Sequence, residues 1–140
     1  MSSSPGHLIV SGRWDNCVAI VDVATAVLPE NDATPNAIVS RPRVPPAVDR
    51  AGGGGADAPA NGQPVGVVVD RARRQAYVVN HSGPATPKAA DAYQHGHPGL
   101  VTVVDLDRAL DPVHDGTLGA VSGFIETGRT GPVGAALTPD

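Results

Sequence analysis

Few side chains in this chain could carry chemistry, and they lie far apart. His81 opens a polar stretch in which His95 and His97 stand one residue apart. Three imidazoles in one loop could ligate a divalent metal, since neutral imidazole suits zinc or copper. No carboxylate or thiol stands at a recognised ligand interval from them, so the same histidines also read as a solvated polar loop. Cys17, in "DNCVAIV", has no histidine base beside it and reads as a small apolar side chain rather than a nucleophile. Being single, it forms no internal disulfide. Asp22 and Asp105 close two similar apolar runs. They read as turn-capping carboxylates that accept backbone N–H bonds, rather than as acid catalysts. Asp70 and Asp140 take the same reading at the next turn. Trp14 and Tyr93 fall in loops and are the candidate contacts for a ligand or partner. "AGGGGAD" lacks the lysine and hydroxyl of a phosphate loop. With no Cys-x-x-Cys-His, the chain holds no covalent haem. No nucleophile–base pair emerges, so no catalytic residue is assigned and the cofactor stays open, a divalent metal being the one candidate.

The elements that must position these groups are short. Seventeen glycines and 14 prolines in 140 residues lie well above the usual share of about 12%. Gly loses backbone entropy and Pro lacks a donor, so this composition opposes long helices and suits short strands between turns. The formal charge of -4, with Arg71, Arg73 and Arg74 as the one dense basic cluster, argues against a nucleic-acid surface. No apolar run approaches the roughly 20 residues of a membrane helix, and "MSSSPGH" shows no signal-peptide pattern.

Strands are expected over Leu8–Ser11, Cys17–Val23, Asn36–Ser40, Val65–Asp70, Gln75–Asn80, Leu100–Leu106, Ser122–Thr127 and Val133–Leu137. "RARR" is a tight connection between the two clearest of them. Residues 29–63 form a Gly/Pro-rich insertion loop and residues 84–98 a His-containing one, within a single domain over 1–140.

Pieces of the chain repeat. Pro64, Val65 and Gly66 match Pro132, Val133 and Gly134, an offset of 68 residues. Val18, Val21 and Asp22 match Val101, Val104 and Asp105, an offset of 83, the difference being the insertion before Pro98. "LIVSGRWDN" (8–16) aligns more loosely with "YVVNHSG" (77–83), placing Leu8 against Tyr77. A small antiparallel unit that cannot bury a face alone is stacked, and four strands closing a ring make a propeller blade.

The succession "PVGVVVD", "QAYVVNH" and "GLVTVVDL" resembles the bacterial YVTN-repeat β-propellers, related to surface-layer and lactonase-like seven-bladed propellers. Tyr77-Val78-Val79-Asn80 stands where the family has Tyr-Val-Thr-Asn, with Val79 in place of Thr. Val103-Val104-Asp105 and Ile20-Val21-Asp22 match the family's Val-Ile-Asp. The resemblance implies an all-β chain that is a segment of a propeller, about two blades of an incomplete ring. The remaining blades, or a second polypeptide, would complete it. It implies a periplasmic or extracellular setting and a non-catalytic scaffold that presents loops for protein or ligand binding. The alternatives it leaves open are a lactonase-like metal-assisted hydrolase and a periplasmic redox-associated propeller, each with its catalytic groups on other blades or another chain.

Overall fold

The computed structural model describes residues 6–12, 17–26, 37–44, 64–81, 99–128 and 132–138. Among the described residues, valine and isoleucine runs bounded by Gly, Pro, Asn and Asp form seven strands, as β-branched side chains favour the pleated conformation. Strands β1 (His7–Gly12), β2 (Cys17–Asp22) and β3 (Ile38–Ser40) make one antiparallel sheet in the order β1-β2-β3. Strands β4 (Pro64–Asp70), β5 (Gln75–Asn80), β6 (Leu100–Asp105) and β7 (Val121–Glu126) make a second, in the order β4-β5-β6-β7. The fold is therefore all-β, two antiparallel sheets sharing one core.

Two short helical turns leave the sheets, α1 (Val23–Ala26) after β2 and α2 (Leu106–Ala109) after β6. The expected Cys17–Val23 and Leu100–Leu106 strands each stop one residue early for this reason. An aspartate ends each strand and caps the turn that follows. Asp105 Oδ1 accepts from the backbone N–H of Asp107 at 2.9 Å and of Arg108 at 3.2 Å. Asp22 accepts from Ala24 N at 3.0 Å and Thr25 Oγ1 at 2.8 Å. Both carboxylates cap turns, as their sequence positions imply.

The strand ladders give the repeat a register. His7 pairs with Asp22, and Gln75 with Asp105. β1 therefore maps onto β5 at an offset of 68 (7 to 75) and β2 onto β6 at 83 (22 to 105). β3 follows at the same offset of 83. Ile20 pairs with Ser40 and Val21 with Ile38, while Val103 pairs with Gly123 and Val104 with Val121. A register shift lies at the corresponding step in each sheet, between Ile20 and Val21 and between Val103 and Val104. α1 and α2 correspond as well. This mapping corrects the alignment of Leu8 with Tyr77 by one residue, so that Leu8 corresponds to Ala76 and Ile9 to Tyr77. Strand side chains alternate between faces, so that single step exchanges the two faces.

With the correct register, the packing of the sheets has a direction. Val18 and Ile20 of the first sheet, with Ile9 beside them, meet Ala76, Val78 and Val104 of the second. The positions equivalent to Ile9, Val18 and Ile20 in the second sheet are Tyr77, Val101 and Val103, which point away from this core. Conversely, Leu8 and Val10 in the first sheet correspond to Ala76 and Val78 and turn outward, 55% and 44% exposed. The sheets are stacked facing the same way. Each presents one kind of apolar face to its neighbour and keeps the other kind outward.

An arm from 41 to 44 ties the halves together. Val44 is buried in the shared core. Val18 N donates to Pro42 O at 3.1 Å, and Arg43 N to Thr117 O at 2.7 Å. Thus part of the expected 29–63 insertion loop, Ala37 to Val44, is built into the fold. The rest of that loop lies outside the described residues, as does 84–98.

One expected strand is not formed. Residues 132–138 have no ladder. They lie against β4 rather than beside it, with Gly134 Cα and Val133 O both 3.6 Å from where a Cβ on Gly66 would stand. A strand needs a neighbouring edge to pair with, and this segment rests on a sheet instead.

Candidate functional site

A cleft of about 290 Å³ lies between β1 and the β4–β5 hairpin. Its floor is Ile9, Ile20, Val67 and Leu106, apolar because these side chains sit at the rim of the shared core. Its mouth carries His7, Arg71 and Arg74.

The β4–β5 turn sets this cationic rim. Asp70 accepts from Arg73 N at 2.9 Å and from Arg73 Nη1 at 2.8 Å. These two bonds hold the Asp70 carboxyl below the usual carboxylate range, the backbone N–H contributing most. Arg74 closes the turn with φ 51°, in the left-handed region where a non-glycine residue is uncommon. Its backbone carbonyl accepts from Leu106 N at 3.0 Å, and its Nε donates to Asp107 Oδ1 at 2.6 Å. That bond lowers the Asp107 carboxyl and raises the Arg74 guanidinium. The turn thereby fastens to α2, and Arg74's charge is largely answered. What the cleft offers is an apolar wall with cations at its lip, and its lining includes no thiol, hydroxyl or carboxylate.

A second polar feature lies at the other end of the second sheet. Asn80 is fully buried, and its Nδ2 donates to Thr102 Oγ1 at 3.0 Å. Its Oδ1 has no partner among the described residues. The next residue, His81, turns its Nδ1 toward Pro132 O at 3.2 Å. The carbonyl can only accept, so in a hydrogen bond here Nδ1 is the donor. His81 thus anchors the segment 132–138 to the end of β5.

Of the three histidines proposed to meet around a metal, the structure places His81 only; His95 and His97 lie outside the described residues. Among the described residues, no group of three or more His, Cys, Asp or Glu is gathered as a metal site. Trp14 and Tyr93 also fall outside. Cys17 is half-buried at the start of β2, where it bridges to Arg43.

Two features were missed in the sequence. The cationic cleft joins residues 60 or more positions apart, and no local motif marks it. The outward apolar faces did leave a signal. β1 reads Leu8-Ile9-Val10 with no polar alternation, which is the pattern of a strand covered on both sides.

No family model, curated protein or solved structure matches this chain. Among the described residues, no helix is long and apolar enough to cross a membrane.

Proposed function

We propose that this chain is a scaffold portion of a β-propeller, its two sheets being successive blades, whose work is to bind protein through its outward faces and loops. One observation carries this reading: the sheets stack facing the same way, and among the described residues each keeps exposed apolar side chains on its outward face. A closed sandwich turns polar side chains outward on both sheets. Here Leu8 and Val10 are exposed on one outer face, and Ile125 is half-exposed beside Val101 on the other. A radial stack has a use for both faces, since each blade is covered on two sides. The meander order β4-β5-β6-β7 supports the same reading. The remaining blades, or a second polypeptide, are the expected partners.

Native mass spectrometry with a denatured intact mass, alongside binding of an apolar fluorescent dye, tests this. An assembly larger than 14.1 kDa, or a monomer that binds dye strongly, supports open blade faces. A 14.1 kDa species that unfolds cooperatively and binds no dye would refute the proposal and leave a self-contained β domain.

A further inference from the structure

Resting on that reading, the repeat register also specifies a partner. We propose that a second copy of this chain binds head to tail, its segment 134–137 pairing along the open edge of β1 while its second sheet covers the outward face of the first.

Three observations converge. First, the two open faces are complementary by construction. The face of Ile9, Val18 and Ile20 already packs on the face of Ala76, Val78 and Val104 inside one molecule. The open face of the second sheet (Tyr77, Val101, Val103) is the repeat counterpart of the former. The open face of the first (Leu8, Val10, Val21) is the counterpart of the latter. Joining them between molecules repeats an interface the fold already makes. Because the two surfaces differ, the contact is heterologous, and it closes into a ring or runs on as a filament.

Second, among the described residues the first sheet has an unpaired edge. In the second sheet, β5 is flanked by β4 and β6; β1, its counterpart, pairs with β2 alone among the described residues. An edge of this kind is a template for an added strand.

Third, the chain carries a segment with the missing strand's sequence. Pro132-Val133-Gly134 repeats Pro64-Val65-Gly66 at the offset of 68 that also relates β1 to β5. The segment is without a ladder, with Val133 73% and Leu137 48% exposed. It already crosses the outward face of the second sheet at Gly66, where a following sheet would begin. The β4–β5 pairing then dictates the intermolecular register. Gly66 opposite Val79, Val67 opposite Val78 and Val69 opposite Ala76 become Gly134 opposite Ser11, Ala135 opposite Val10 and Leu137 opposite Leu8.

The test mixes two chains, each carrying Cys17→Ala and one new cysteine, Val10→Cys in one and Ala135→Cys in the other. Any disulfide between them is necessarily intermolecular. The expected result is a mixed dimer that forms at least about tenfold faster than either chain links to itself, because pairing raises the local thiol concentration. Val113→Cys, on an exposed turn, replaces Val10→Cys as the off-register control and should give no such preference. In the otherwise native chain, Ala135→Pro with Ala136→Pro removes donors the added strand needs, at exposed positions without a ladder. These changes should return the native mass to that of one chain. A wild-type chain that stays monomeric at high micromolar concentration, with no preferred mixed disulfide, would overturn self-pairing. If that monomer still binds the apolar dye, the propeller reading stands and only the self-partner falls.

Discussion

Ile20 and Leu8 lie on the same hairpin and point to opposite faces, and truncating each to alanine removes three carbons. Ile20 is 1% exposed and touches the side chains where the two sheets meet. Losing three buried carbons costs about 2.4 kcal/mol in transfer free energy, at about 0.8 kcal/mol per carbon. The cavity left behind brings the expected loss for Ile20→Ala to about 3–4 kcal/mol. Leu8 is 55% exposed, so less than half of that transfer term applies. Water fills the vacated space, and Leu8→Ala should cost about 1 kcal/mol. Urea unfolding followed by far-ultraviolet circular dichroism, at low micromolar concentration to keep molecules apart, reads the difference. With a slope of about 1.5–2 kcal/mol per molar urea, Ile20→Ala should move the midpoint by about 2 M and Leu8→Ala by about 0.5 M. Equal losses at the two positions, or a larger one at Leu8, would show that the faces have been assigned the wrong way round. The same measurement at high concentration extends the argument. A cost for Leu8→Ala that grows with protein concentration is the signature of a face that becomes buried on assembly.

Three further outcomes follow from the geometry. Asn80→Ala leaves the Thr102 hydroxyl buried without its partner and should cost about 1–3 kcal/mol; adding Thr102→Val should cost less than the two single changes together, a coupling measured by a double-mutant cycle. The carboxyls of Asp70, Asp22 and Asp107 are all lowered by hydrogen bonds in the folded state. Their contribution is thus complete above the unfolded carboxylate value of about 3.9 and is lost as pH falls through the lower folded values. Asp70→Asn should therefore flatten part of the acid limb of a stability–pH curve and leave its shape at neutral pH unchanged; an unaltered acid limb would show that the Arg73 contacts do not persist in solution. Gly99→Ala would drive a methyl group into the ring of Pro132; overpacking of this kind costs about 1–3 kcal/mol, and a neutral result in the urea assay would mean that the 132–138 segment does not rest there.

By itself, the sequence determined every expected strand but Val133–Leu137, because short β-branched runs between turn residues favour the extended conformation. It also determined the roles of Asp22 and Asp105, since an aspartate two or three residues before a free N–H readily caps it. The repeat was visible too, but only to within one residue. A β-strand alternates sides at every step, so an error of one position leaves the similarity intact and reverses the faces. Only the ladders of His7 with Asp22 and Gln75 with Asp105 resolved that, because hydrogen-bond register belongs to two strands at once. The fate of "PVGAALT" was likewise a tertiary decision. Its residues suit a strand, yet pairing requires an open edge within reach, and the segment instead lies across the sheet at Gly66. The cationic cleft was undecided in the sequence for the same reason. His7 comes to line one cleft with Arg71 and Arg74 only when β1 packs against β4, and that packing depends on buried apolar area summed over both sheets rather than on any local signal.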